Sequence, residues 1–434
     1  MLTSLRLTNF KNFQAACLSL GPLTLLVGTN ASGKSNLRDA FRFLHGISRG
    51  YTLAEILGEK WVESGVLQWR GIRGGTREAT YLQAETFVLE VIVADDKDTD
   101  VAKSEYHYRI EVAPSLKWKP PLLVRETLYE NDVMVFETQD NENIKFLGQS
   151  IKVAYVSDSK PQVTSGKTDK MSFHNNQPVL SQFAAHIALG GRFAPELQRA
   201  VHQTMAVLGS MRFLDLSPDA MRRSSLPGQA VLGDRGENLS SVLQAICQAD
   251  EGKRTLLSWL QELTPMDAAD FDFVPDLQGH ITLTIKEKNG QKTSAYSASD
   301  GTLRFLAMAA ALLGAEAARF YFFEELDNGI HPTRLSLLLQ LIEQRVGDSH
   351  IQVIATTHSP PLLRLLSPES LEHASLVYRL VEEPAAHVVR LVDLPEARRV
   401  LREQDMARLL ESGWLEDAVA FQNSQEQEPE KQAA

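Results

Sequence analysis

The chain has 434 residues, 43% of them hydrophobic and 23% charged, with a formal net charge of −11. That length can bury a large core and predicts two or three lobes, while the acidic balance argues against wholesale coating of nucleic acid and leaves only a local basic groove open. The two cysteines, Cys17 and Cys247, stand far apart without a second-ligand pattern, so neither a disulfide framework nor a zinc site is implied.

Taken in chain order, Leu5 and Leu7 alternate with Arg6 and Thr8 and predict a short first strand. Phe10-Lys11-Asn12-Phe13 reads as a turn, and a second strand runs to about Leu20, before Gly21-Pro22. An N-terminus of this kind reads as a strand and not as a cleavable signal. Leu23–Val27 reads as a buried strand, and Leu37, Ala40, Phe41 and Leu44 fall at helical spacing behind it. Residues 45–80 read as irregular. Segments Phe87–Val93, Tyr106–Val112, Leu122–Leu128 and Val133–Thr138, separated by acidic turns, predict an antiparallel sheet. Residues 157–176 are polar and mixed and read as a loop.

From Gln177 the character changes. Segments 178–209 and 237–263 carry apolar residues at helical spacing around a loop-like stretch 212–236 broken by Pro218 and Pro227, so 177–265 reads as a helical insertion. A hairpin is predicted around Lys288-Asn289-Gly290, between Ile281–Ile285 and Thr293–Tyr296. Helix (302–317), strand (319–323), helix (333–346), strand (351–355) and helix (360–366) then alternate in α/β fashion. Strands 375–382 and 387–393 and a helical region 396–420 follow, and 421–434 is a polar tail expected to be disordered. The expected division is 1–176, 177–265, 266–420 and the tail. No apolar run approaches the roughly 18 residues needed to span a bilayer. The expectation is a soluble cytoplasmic protein without a membrane partner.

Gly28-Thr29-Asn30-Ala31-Ser32-Gly33-Lys34-Ser35 matches G-x-x-x-x-G-K-[ST] between the buried strand and the helix that the motif requires. Its glycines let backbone N–H groups turn inward around phosphate oxygens. Lys34 would reach the β- and γ-phosphates, Ser35 would hold Mg²⁺, and the helix N-terminus adds a favourable dipole. This stretch predicts nucleoside triphosphate binding. Far downstream, Phe320–Phe323 ends in Glu324-Glu325, one carboxylate to orient the Mg²⁺ shell and one to polarise the attacking water. Leu326-Asp327-Asn328-Gly329-Ile330-His331-Pro332 follows, alone no more than a turn and a helix start. His358, just past the strand Ile351–Ala355, could sense a γ-phosphate or position water. Ser299-Asp300-Gly301 precede an apolar helix, as an N-cap and also as an anion-binding terminus with a free hydroxyl.

In this order the motifs resemble the ATP-binding-cassette-like heads of the SMC/RecF/OLD group, in particular small RecF-like or OLD-like AAA ATPases of bacteria. The resemblance runs from about residue 2 to 420. It implies an α/β ABC-type ATPase head: an antiparallel β subdomain, a mixed core sheet around the phosphate loop and a helical insertion. It makes Gly28–Ser35 the Walker A loop, with Asn36 following, and sets Lys11 and Asn12 beside the nucleotide. Ser299-Asp300-Gly301 resembles the signature, which would act in trans. Glu324 (metal side) and Glu325 (general base) resemble Walker B, Leu326–Pro332 the D-loop and His358 the switch histidine. Glu324 stands where Asp is usual, and the Q-loop glutamine is open between Gln139 and Gln182. The cofactors implied are ATP and Mg²⁺, and the assembly implied is a homodimer or higher homo-oligomer closing head-to-tail on ATP.

One function that this resemblance implies is a nucleotide-driven switch controlling a partner effector in anti-phage defence. The stretch after Val392 is too short for the TOPRIM nuclease of OLD-like relatives, so a nuclease effector would be a separate subunit. The alternative is a DNA-repair or structural ATPase holding duplex DNA through Arg70, Arg73 and Arg77 or Arg398, Arg399 and Arg402, with a steep salt dependence. An ABC transporter subunit fits the motifs less well.

Overall fold

The computed structural model describes residues 1–95, 104–114, 120–139, 149–157, 168–263, 266–314, 317–349, 351–380 and 383–394. It opens with the hairpin β1 (Leu2–Phe10) and β2 (Phe13–Ser19), then β3 (Leu23–Val27), α1 (Lys34–Ser48), α2 (Leu53–Leu57) and a second hairpin, β4 (Glu59–Val62) and β5 (Val66–Arg70). Six strands follow: β6 (Phe87–Ala94), β7 (Glu105–Ala113), β8 (Leu122–Glu130), β9 (Val133–Thr138), β10 (Ser150–Val156) and β11 (Thr168–His174). Next come α3 (Val179–Ala188), α4 (Pro195–Gly209), β12 (Met211–Leu214), α5 (Pro218–Met221), α6 (Leu239–Cys247) and α7 (Asp250–Leu263). Then come β13 (Ala268–Pro275), β14 (Ile281–Glu287), β15 (Lys292–Ser294), α8 (Asp300–Leu313) and β16 (Phe320–Phe323). The described chain ends with α9 (Pro332–Ser349), β17 (Gln352–Thr357), α10 (Pro368–Leu371), β18 (Ser375–Arg379) and β19 (Ala386–Arg390). The fold class is mixed α/β.

Contacts divide the chain into two units. The first holds Met1–Gly21, Thr29–Met211 and Val377–Val389; the second holds Pro22–Gly28, Arg212–Leu376 and the chain from Arg390. The division falls inside the stretch 177–265, so α3 and α4 go with the first unit and α6 and α7 with the second.

In the first unit an antiparallel sheet runs in the order β11-β10-β9-β8-β7-β6-β1-β2. Its registers, Leu5↔Val91 and Leu7↔Leu89 in one pair and Leu89↔Ile110 in the next, line up buried apolar residues on one face. α4 packs against both α1 and α3. Phe183 of α3 sits among Phe136, Tyr155, Phe173 and Phe193 at centroid distances of 4.7–5.6 Å, geometry that adds to plain area burial.

The second unit is built on strands β12, β16, β17, β3 and β18 of a six-stranded sheet, parallel where β16 meets β17, β17 meets β3 and β3 meets β18. Phe320 faces Gln352, Ala355 faces Leu25, and Leu26 faces Ser375. Every residue of β3, β16 and β17 is buried, as a parallel sheet covered on both faces requires. α8 is almost wholly buried, with Ala307 and Ala309–Ala311 allowing close approach by α5, α6, α7 and α9. A separate antiparallel sheet has the order β13-β14-β15.

Several expectations change. β1 spans nine residues, not a short stretch, because it is bonded on both sides, to β2 and β6. Residues 45–80 are not irregular: α1 continues to Ser48, and α2 opens on a capping box in which Thr52 and Glu55 bond reciprocally. The β4–β5 hairpin follows, its turn placing Gly65 at φ +73°. Of the loop expected at 157–176, Thr168–His174 forms an edge strand whose only buried side chain is Phe173, and so little burial leaves little alternation to read. Within 212–236, Met211–Leu214 is a strand of the six-stranded sheet and Pro218–Met221 a short helix. Ala268–Pro275 is a strand ahead of the expected hairpin. The helical region expected at 396–420 and the tail lie outside the described residues.

Candidate functional site

In the first unit, the segment Thr29–Ser35 leads into α1, whose N-cap Gly33 has φ +122° and makes no side-chain cap. A Cβ at Gly33 would come within 2.9 Å of Asn12 Nδ2 and of Phe13 Cζ, so only glycine fits. Asn36 Nδ2 donates to Asn12 Oδ1 at 2.7 Å, which ties the Phe10–Phe13 turn to the first turn of α1. Ala31 also has a left-handed φ of +62°. Lys34 is buried and its Nζ donates to Thr29 O at 2.8 Å, folded over its own loop. Ser32 Oγ is buried and has no hydrogen-bond partner among the described residues. A buried hydroxyl without a partner, a glycine that no side chain can replace and a lysine arched over the loop together fit a phosphate group.

Lys11 was expected beside the nucleotide, but its ammonium is committed elsewhere. It pairs with Asp39 at 2.7 Å and donates to Arg73 O at 2.5 Å, while Arg73 Nε reaches the same Asp39 oxygen at 3.1 Å. Burial holds the Lys11 pKa below its usual range, with Asp39 opposing. Asn12 is therefore the residue of this turn that meets the loop, and Lys11 and Arg73 fasten the turn and the 71–75 loop to α1. Gln182, one of the two Q-loop candidates, accepts from His174 N–H and donates to the His174 and Gln177 carbonyls at 2.8–3.0 Å, a tie between α3 and β11.

The second unit gathers the downstream motifs at the C-terminal ends of its parallel strands, where open α/β sheets bind ligands. Gly28 directly follows β3, and its carbonyl lies 3.1 Å from His358 Nδ1. The other imidazole nitrogen, Nε2, is 3.9 Å from Glu325 Oε1, an ion pair when the ring is protonated. Glu325 has φ +50°, a left-handed conformation in a non-glycine residue, of the kind found where a site aims a side chain. Its N–H donates to Thr356 Oγ1 at 2.9 Å, and Asn328 Nδ2 donates to its Oε2 at 2.8 Å. Thr357 Oγ1 donates to Asp327 Oδ1 at 2.7 Å, so the ends of β16 and β17 are laced together. Glu324 is half-buried, and its N–H donates to Leu214 O on β12. Among the described residues no group of three or more His, Cys, Asp or Glu could hold a metal ion unaided. An Mg²⁺ bound largely by phosphate oxygens does not need one.

Ser299 is the N-cap of α8: its Oγ accepts from Thr302 N–H at 3.2 Å and lies 2.8 Å from Thr302 Oγ1. The cap reading holds, and the hydroxyl is engaged, not free as expected. Asp300 pairs with Arg222. A Cβ at Gly301 would stand 2.2 Å from Gly329 O, so this glycine lets α8 touch the segment after Glu325 directly.

Sequence reasoning missed Asp39, Thr356 and Arg222, and read Asn328 only as part of the D-loop stretch, not as a partner of Glu325. It also missed Glu126, a fully buried carboxylate that accepts from Val179 N–H (2.6 Å), Leu180 N–H (2.8 Å) and Tyr108 OH (2.9 Å). Burial pushes its pKa up to about 7, against the pull of those donors. A Glu within the alternating run of β8 was the one available signal.

Over 375 residues the chain is 21% identical to an ATP/GTP phosphatase of Helicobacter pylori (strain ATCC 700392 / 26695), across 84% of this chain and 87% of the relative. It is also similar to an SMC head domain from Thermotoga maritima (13% identity, 90% of this chain and 98% of that one, TM-score 0.40). A second similar structure is a Smc head with an extended coiled coil bound to the C-terminal domain of ScpA, derived from Pyrococcus furiosus (13% identity, 93% and 98%, TM-score 0.48). A family model matches residues 23–364, from the start of β3 to just past His358 and well over half of the chain. The chain belongs to that family, described as "AAA domain, putative AbiEii toxin, Type IV TA system", and is an ATPase.

Proposed function

We propose that this ATPase is a nucleotide-driven dimeric switch of the RecF/OLD-like kind that controls a separate effector protein in bacterial anti-phage defence. The observation that carries it is His358, within hydrogen-bond reach of Gly28, the first residue of the phosphate loop, and 3.9 Å from Glu325. A histidine touching both the loop's entry and a water-polarising carboxylate can report whether a γ-phosphate is present. In this reading Lys34 holds the β- and γ-phosphates, Ser35 and Glu324 share the Mg²⁺, and Glu325 orients the water. Ser299, Asp300 and Gly301 of a second copy would present the N-terminus of α8, through backbone N–H groups and not through the Asp300 carboxylate, to the γ-phosphate, so ATP favours the closed pair and hydrolysis reopens it. A family description that names a TA system supports a second component, and a nuclease is one candidate. Direct binding of duplex DNA has less support at the 70–77 loop, where Arg73 is spent on Asp39; Arg398, Arg399 and Arg402 lie outside the described residues.

The test is Glu325→Gln. The variant should bind ATP, hold it, and accumulate as a closed dimer in sedimentation while phosphate release stops. Turnover at the parental rate would remove Glu325 from the role of base.

A further inference from the structure

Asp300 poses a difficulty for the dimeric reading, on which this inference rests. It is the first residue of α8, next to Ser299, and its side chain is 61% exposed. A helix N-terminus attracts anions, but a bare carboxylate there would repel an incoming triphosphate. Arg222, at the end of α5, answers it. Its Nη2 donates to Asp300 Oδ1 at 2.5 Å and to Ala298 O at 3.2 Å, and its Nη1 reaches Asp219 Oδ1 at 3.3 Å. The Arg222 side chain is 24% exposed. The bond to Ala298 O also fixes the backbone just before Ser299.

We infer that Arg222 serves the ATP-dependent dimer by neutralising Asp300, so that the start of α8 can meet a partner's triphosphate. Asp219, 94% exposed, is screened by water and takes little of that charge. A plain structural tie between α5 and α8 would use the same bonds, and the two roles part when the acid is removed together with the base. If charge compensation is the point, deleting both charges restores function. If the tie is the point, deleting both is no better than deleting one.

The experiment compares the full chain, Arg222→Gln, Arg222→Lys and the double variant Arg222→Gln/Asp300→Asn. Dimerisation is followed by sedimentation velocity with Mg²⁺ and a non-hydrolysable ATP analogue, at low and high salt. Analogue binding to the monomer is titrated in parallel. Arg222→Gln should weaken the dimer at low salt by about fivefold per site, or on the order of 25-fold for a closed pair with two sites. Monomer binding should be unchanged, high salt should shrink the defect, and the double variant should recover most of the loss. Arg222→Lys keeps the charge and should dimerise better than Arg222→Gln, which keeps the proposal testable if the Gln variant folds poorly. Parental dimerisation by Arg222→Gln, or a double variant as weak as the single, overturns this inference and leaves the dimeric reading standing. A parental chain that stays monomeric with the analogue sinks the dimeric reading, and this inference with it.

Discussion

Glu126 makes the stability of the first unit depend on pH in a way that can be computed. Its pKa is about 7 in the folded chain against a reference of 4.5. A folded pKa above the unfolded one means that the stabilising contribution is complete below about pH 4.5 and is lost as pH rises through 7. At 1.36 kcal/mol per unit the full loss is roughly 3 kcal/mol, and most of it, about 2.5 kcal/mol, falls between pH 5 and 8. Glu55, Asp270 and Asp272 have lowered pKa values, so their contributions are lost only as pH falls into the acid range, outside this window. Glu126→Gln isolates the effect. The amide keeps an acceptor for Leu180 N–H and Tyr108 OH but turns a donor towards Val179 N–H, which costs about 1–3 kcal/mol at any pH. Urea denaturation of both proteins from pH 5 to 8 should show the parental advantage shrinking by about 2–3 kcal/mol, and the variant could match or exceed the parent at pH 8. A difference that stays constant across that range would show that the three donors hold the carboxylate ionised in spite of its burial.

Two further predictions concern the site. Gly33→Ala must place a Cβ against Asn12 and Phe13 at φ +122°, so titration with a fluorescent ATP analogue should show affinity reduced by at least about 30-fold, the equivalent of roughly 2 kcal/mol of local strain. Asn328→Ala removes the donor on Glu325 Oε2; steady-state kinetics should show kcat lowered about fivefold, near 1 kcal/mol, with KM for ATP unchanged. A raised KM with intact kcat would place Asn328 in substrate binding instead.

The parts of this protein that could be read from its sequence are those whose residue types are dictated by burial on both faces or by the local backbone. β16 announces itself as an unbroken apolar run, and β3 and the middle of β17 as mostly apolar ones, because both faces of a parallel sheet are covered. The phosphate loop and Glu324-Glu325 do so because backbone turns and strand ends dictate residue types locally. α2 was legible too, through Thr52 and Glu55, and was passed over. β11 was not legible, since an edge strand with one buried side chain carries almost no alternation. Hardest of all were residues whose work is to hold another across a long separation: Glu126 on the first turn of α3, Lys11 and Arg73 on Asp39, Arg222 on Asp300. Each is a charged side chain in an ordinary position, and only the folded chain supplies the partner that makes its charge tolerable. Hence Lys11 looked like a nucleotide contact: a lysine in a turn beside a phosphate loop is chemically indistinguishable from one, until a buried carboxylate on α1 is seen to need two cations. The same logic makes Asn12, a neutral residue, the better candidate at that turn, because its amide bridges to Asn36 without competing for the phosphate's counter-charge.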